Sequence, residues 1–210
     1  MAADLSSDGT IRIGRVLHAT LAEGPGQRTA VWVQGCSIRC AGCINPHLFN
    51  PRGGHLITAT AIVQGALAAS DEGITLLGGE PFDQPEACAH LAREAQNAGL
   101  GVICFTGYAH DDLVRRDEAN LLLAHVDLLV DGPYVAELPE NERALVGSTN
   151  QRFIPLTSRY RDYRAEKERN RIELRIAPGG SIDVAGFLDR VELDTLTASL
   201  GTRRVRQSNE

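Results

Sequence analysis

Cys36, Cys40 and Cys43 fall within eight residues of one another in the arrangement C-x3-C-x2-C. Thiols so close together make a poor disulfide framework, and in a reducing compartment clustered thiolates bind metal. Three thiolates suit either zinc or an iron–sulfur cluster. A structural zinc site closes with a fourth ligand, and His47 is near enough in sequence to serve, so spacing alone leaves a Cys3His knuckle open. A cubane cluster on three thiolates would instead leave one iron open to a cofactor. The remaining cysteines read differently. Cys88 shares helical spacing with Leu91, Ala95 and Ala98, and Cys104 lies in the apolar run Gly101-Val-Ile-Cys-Phe. Both read as small core hydrophobes.

A second feature, Gly78-Gly79-Glu80-Pro81, follows the apolar run Ile74-Thr-Leu-Leu77. Two glycines at a strand end allow close backbone approach to a ligand, and Glu80 adds a fixed carboxylate. Alone, the same residues read equally well as a turn. Position adds meaning, because ligands of a βα array collect at the carboxyl ends of its strands. Cys36 follows one expected strand, Gly78 the next, Thr106-Gly107 the third and Asp131-Gly132 the fourth. These tips would share one rim, which a zinc knuckle does not need.

The elements that must position them alternate in type. Strands are expected over 11–17, 30–34, 74–77, 100–105 and 126–130. Helices are expected over 58–70, with Ile62, Val63, Ala66 and Leu67 on one face, over 84–98, and from about 111 to 123. Such alternation implies a parallel sheet wrapped by helices. After Asp131 the rhythm breaks. Arg152-Phe-Ile-Pro reads as a short strand, 159–171 as a charged loop or helix, and 172–184 as a hairpin about Ala177-Pro-Gly-Gly. A short helix over 192–200 and a solvated basic tail at 202–206 complete the chain. Residues 1–158 are expected to form the core, with 159–210 part of the same domain.

Composition narrows the classes of function. The 210 residues are 43% hydrophobic and 23% charged, the range of a globular protein. A net charge of −6 argues against nucleic acid as a partner. The N-terminus has neither a basic n-region nor an apolar h-region, and no run is long enough for a membrane span, so a cytoplasmic location is expected. Lys167 is the sole lysine.

The cysteine motif with the Gly78–Pro81 strand end resembles the radical S-adenosylmethionine superfamily. The stretch from Glu23 to Pro46 resembles the activating proteins of glycyl radical enzymes. Asp127-Leu-Leu-Val-Asp-Gly-Pro-Tyr and Gly147-Ser-Thr-Asn-Gln-Arg resemble the activators of anaerobic ribonucleotide reductase. The resemblance covers roughly 11–155 and implies an α/β fold, a partial, open (β/α)6-type barrel with a C-terminal β-hairpin. It implies a [4Fe–4S] cluster on Cys36, Cys40 and Cys43, with S-adenosylmethionine on the open iron. Gly78, Gly79 and Glu80 match positions that hold the cofactor's amino group, and Thr106 and Asp131 match strand ends lining its pocket. The implied chemistry is reductive cleavage to a 5′-deoxyadenosyl radical that takes hydrogen from a glycine of a partner enzyme. Reduced flavodoxin or ferredoxin is the implied electron donor.

Two departures stand out. Gly42 occupies the place before the third cysteine where many relatives carry an aromatic residue behind the adenine, so support must come from Ile44 or backbone. No lysine is available for the cofactor carboxylate, which leaves Ser148, Asn150 or Arg152, though Asn150-Gln-Arg reads equally as a polar turn. Two alternatives are carried. The radical could act on a small molecule or peptide, for which the charged 159–171 segment would be a docking surface, or the chain could be a non-enzymatic zinc or cluster module.

Overall fold

The computed structural model describes residues 9–187 together with 191, 194–196 and 198. Nine strands and four helices follow in order: β1 (Thr10–Thr20), β2 (Arg28–Val33), β3 (His55–Thr58), α1 (Ala59–Ala68), β4 (Gly73–Gly78), α2 (Pro85–Asn97), β5 (Gly101–Phe105), α3 (His110–Leu113), α4 (Asp117–Leu123), β6 (Leu128–Asp131), β7 (Arg152–Pro155), β8 (Ile172–Ile176) and β9 (Ile182–Gly186). Seven strands make one sheet in the order β3-β1-β2-β4-β5-β6-β7. The central four, β2 to β6, are parallel, as the alternation implies. Both flanks depart from an all-parallel sheet: β1 runs antiparallel to β2 and to β3, and β7 antiparallel to β6.

The central strands are buried on both faces, so they read as nearly continuous apolar runs. Val31, Val33, Ile74, Leu76, Val102, Cys104 and Leu129 pack in one cluster with Ile62, Ala66, Cys88, Leu91, Ala95, Leu113 and Leu122 from the helices. Alternate residues point the other way. There Ala30, Trp32 and Leu77 cluster with Leu17, Leu48 and Ala185 of β9, and Ile103, Leu128 and Val130 with Val146, Phe153, Tyr160 and Tyr163. Cys88 and Cys104 are fully buried core residues, as expected.

Helix α1 is capped by Thr58, whose side chain accepts from the Ala61 N–H. Its buried face is Ala59, Ile62, Val63 and Ala66, while Leu67, expected on that face, is half exposed. The expected helix over 111–123 is broken into α3 and α4. Leu113 and Leu122 are both fully buried. Nine residues apart, they would project about half a turn from each other on one straight helix. The break lets both reach the core, and Arg116 at its end, the N-cap of α4, lies over the Tyr108 ring at 4.3 Å.

The 159–171 segment is a loop with one 3-10 turn at Ala165–Lys167. The hairpin pairs Ile172 with Gly186 and Ile176 with Ile182. It is fastened to β1 and the loop after it: Glu173 accepts from the Thr20 hydroxyl at 2.7 Å, Arg15 donates to the Val184 carbonyl at 2.7 Å, and the Gly186 N–H donates to Glu23 at 2.7 Å. Of the helix expected over 192–200, residues 194–196 and 198 are described and helical, and the 202–206 tail lies outside the described residues. No helix among the described residues is long and apolar enough to cross a membrane.

Candidate metal centre

Because β2, β4, β5 and β6 are consecutive parallel neighbours, their carboxyl ends lie along one edge of the sheet. Cys36, Gly78–Glu80, Thr106-Gly107 and Asp131-Gly132 therefore stand side by side. The loop leaving β2 is held at its base by the Gly35 N–H on Leu48 O, 2.7 Å, and the Cys36 N–H on Phe49 O, 3.4 Å. All three of its cysteines are free and partly exposed. Burial pushes the Cys36 thiol up, while the N–H groups of Arg39 and Ile38 directed at its sulfur pull it down. Burial also pushes up the Cys43 thiol, against the Asn45 N–H, 3.4 Å from its sulfur. Thiols in this state ionise when a metal cation offsets the burial.

The Gly78-Gly79 pair faces the cysteine strand rather than open space. Gly79 N–H donates to Val33 O at 2.9 Å and Glu80 N–H to Gly35 O at 2.8 Å. Gly78 has φ +100°, and a Cβ there would sit 2.6 Å from the Trp32 Cα. A Cβ on Gly79 would collide with the Gly35 carbonyl oxygen. The close approach that the glycines allow is to the backbone from which Cys36 emerges.

Glu80 is buried, and both carboxylate oxygens have donors. Oε1 accepts from Phe82 N–H at 3.0 Å and the Thr106 hydroxyl at 2.8 Å, and Oε2 from Gly107 N–H at 2.9 Å. Burial pushes its carboxyl up to about 7, these three donors pull down, and Asp83 nearby pushes up. Thr106 also accepts from Tyr108 N–H. Asp131 takes a two-point contact from Arg152, Nε to Oδ1 at 3.0 Å and Nη2 to Oδ2 at 2.5 Å, and accepts from His110 N–H at 2.7 Å. Glu80 and Thr106 thus join the ends of β4 and β5, while Asp131 is tied to β7 and to the start of α3.

The 147–151 turn distinguishes its members. Ser148 is fully buried, and its hydroxyl accepts from Val135 N–H. Arg152 is committed to Asp131. Asn150 donates Nδ2–H to Pro133 O at 2.8 Å, but its Oδ1 is buried with no hydrogen-bond partner among the described residues. A buried acceptor left open beside the rim is what a ligand donor would satisfy, so the residues present fit a small polar cofactor next to the thiols.

Sequence patterns did not point to Asp83, Ser37 and Tyr108. Asp83 Oδ2 accepts from the Ser37 N–H at 2.6 Å and Oδ1 from its hydroxyl at 2.8 Å, and Tyr108 OH lies 2.9 Å from Ser37 Oγ. The faint signal was an acid three residues after Glu80. Its partner is 46 positions away. Among the described residues no three His, Cys, Asp or Glu side chains are close enough to share one metal ion, as a knuckle with His47 requires. A four-iron cluster holds its thiolates further apart than a single ion does.

Comparison with known proteins decides between these donor chemistries. The family described as a 4Fe-4S single cluster domain matches residues 22–154. The chain belongs to that family. The match spans the three cysteines and every strand end of the rim. The anaerobic ribonucleoside-triphosphate reductase-activating protein of Enterobacteria phage T4 is 31% identical over 146 residues, covering 66% of this chain and 90% of that protein. The protein of the same name from Salmonella typhi is 30% identical over 142 residues, covering 62% and 90%. The pyruvate formate-lyase-activating enzyme of Clostridium pasteurianum is 32% identical over 127 residues, covering 55% of this chain and 53% of that longer enzyme. The resemblance to radical S-adenosylmethionine activating proteins, drawn from the motifs, agrees with these relatives.

Proposed function

We propose that this chain activates a glycyl radical enzyme, most directly an anaerobic ribonucleoside-triphosphate reductase, using a [4Fe–4S] cluster and S-adenosylmethionine. The observation that carries the reading is the joining of the cysteine loop to the Gly78–Glu80 tip by Gly79 N–H on Val33 O and Glu80 N–H on Gly35 O. A structural cluster module needs no such joint to a second strand end. The relatives of the 4Fe-4S family named as reductase-activating proteins support the same conclusion.

In this reading Cys36, Cys40 and Cys43 ligate the cluster. When bound and reduced, the pair of cofactors supplies a 5′-deoxyadenosyl radical, which removes hydrogen from a backbone glycine of the partner. The chain's own residues bind, orient and exclude water. The Gly79 and Glu80 backbones bring the second tip against the cluster loop, and Glu80 fixes Thr106 and Gly107 beside it. Asn150 Oδ1 offers the open acceptor for a cofactor donor, while Gly78 lets its strand end pack against the Trp32 backbone. The Asp131–Arg152 pair holds the fourth tip, with Arg152 Nε and Nη2 both donating to the Asp131 carboxylate. The sheet would curve as a partial, open (β/α) barrel. Coverage of its second face by the hairpin and by Val146, Phe153 and Tyr160, rather than by helices, supports this. A reduced flavodoxin or ferredoxin in the cytoplasm would supply the electron.

The alternative of a small-molecule or peptide substrate leaned on the charged 159–171 segment. Tyr160, Tyr163 and Ala165 of that segment turn inward, and Tyr160 OH accepts from the buried Arg28 at 3.0 Å, so part of it serves packing. The test is anaerobic reconstitution with iron and sulfide, followed by measurement of 5′-deoxyadenosine with and without an anaerobic ribonucleotide reductase. The expected result is cofactor cleavage coupled to a glycyl radical seen by electron paramagnetic resonance. Cleavage with no glycyl radical on an authentic reductase would move the assignment to the alternative substrate class.

A further inference from the structure

We infer that Asp83 is the positioning residue of the cluster loop: it clamps the turn after Cys36 and sets a fixed negative charge beside the cluster. The inference rests on the cluster reading above and deepens it.

The residues between Cys36 and Cys40 form no helix or strand, so hydrogen bonds must define their path. Both polar groups of Ser37 go to one carboxylate, N–H to Oδ2 at 2.6 Å and Oγ to Oδ1 at 2.8 Å. Tyr108 OH joins from the third strand tip, 3.3 Å from Asp83 Oδ1 and 2.9 Å from Ser37 Oγ. Asp83 itself is placed by the 3-10 turn Pro81–Asp83, which Glu80 caps through Phe82 N–H. The Asp83 N–H donates to Glu80 O at 3.0 Å. One hydrogen-bonded chain therefore runs from Glu80 through Asp83 to Ser37, the residue that follows Cys36.

Two consequences follow at the sulfur. With Ser37 held, the N–H groups of Ile38 and Arg39 point at Cys36, although Arg39 must take φ +52°, a region unfavourable for a non-glycine residue. Groups that orient ligands from behind tune metal affinity as well as geometry. The Asp83 carboxylate, bonded to the N–H and hydroxyl of the residue that follows Cys36, sets its negative charge beside that ligand and opposes added negative charge there. Because cluster potentials follow local charge and hydrogen bonds to sulfur, a carboxylate here favours the oxidised cluster and lowers its potential.

Three variants separate position from charge: Asp83→Asn, Asp83→Glu and Ser37→Ala. Each is reconstituted anaerobically with iron and sulfide, with thermal melting as the control for folding. Iron per chain and the cluster's midpoint potential, from a titration followed by electron paramagnetic resonance, are then measured. Asp83→Asn should lose half or more of the bound iron. Its remaining cluster should titrate at higher potential, by a roughly threefold to tenfold change in the reduced-to-oxidised ratio, tenfold being about 59 mV for one electron. Ser37→Ala should lose iron while keeping the wild-type potential, and Asp83→Glu should restore the potential more fully than the iron. Wild-type iron content and potential in Asp83→Asn would overturn the inference, and iron loss at unchanged potential would overturn its charge component. A wild-type chain that takes up no cluster would overturn the reading of the site itself.

Discussion

The Thr106 hydroxyl donates to Glu80 Oε1 across 2.8 Å, tying the ends of the parallel strands β4 and β5 at a buried carboxyl. The Gly107 N–H on Oε2 completes the tie. Glu80→Ala leaves the Phe82 and Gly107 N–H groups without this acceptor, each an expected loss of about 1–3 kcal/mol. Chemical denaturation should show the loss, and S-adenosylmethionine affinity should fall with it. A variant with undiminished stability would mean that water or backbone replaces the carboxyl.

Gly79→Ala tests the joint between the second tip and the cysteine strand. Its Cβ would press on the Gly35 carbonyl and lie 2.7 Å from Val33 O. Overpacking of this kind costs roughly 1–3 kcal/mol, and here the displaced backbone carries Cys36. Iron content after reconstitution should drop. Gly179→Ala is the control, since no described residue lies within 4 Å of a Cβ there, and it should change stability by less than about 0.5 kcal/mol.

The cysteines should divide cleanly. Cys40→Ser is expected to abolish the cluster's visible absorbance and its iron. Cys88→Ala and Cys104→Ala remove buried thiols that pack α2 and β5, and should leave the cluster intact at a stability cost of about 1 kcal/mol each. Parallel iron assays on the three variants decide the point.

Glu23 gives the stability a pH dependence. Burial above all raises its carboxyl from 4.5 to about 7, against the Gly186 N–H and Arg15, which pull it down. Between those values the folded protein keeps a proton that the unfolded chain releases, so stability falls as pH rises and levels off above about 7. The Glu23 share is about 3 kcal/mol, and Glu80 contributes in the same direction. Glu23→Gln keeps an acceptor for Gly186 N–H and removes the proton. Its denaturation midpoint should vary less across this range than the wild type's and exceed it at pH 8.

By itself the sequence determined what short-range pattern encodes: the thiol triad, the apolar runs of β2, β4, β5 and β6, and the order of strand tips that brings Cys36, Gly78, Thr106 and Asp131 to one edge. Parallel pairing of successive βα units makes that edge nearly unavoidable. Only the tertiary structure decided what each residue does there. Glu80 meets Thr106 across 26 positions, Ser37 meets Asp83 across 46, and Glu23 meets Gly186 across 163. Spacing carries no signal for such pairs. The same holds for the break between α3 and α4, where a continuous helical pattern yielded so that Leu113 and Leu122 could both be buried. Gly78 and Gly79 show the difference most sharply. Their type announced a close approach, but hydrogen bonding and packing between strands decided that the approaching group is the backbone carrying Cys36.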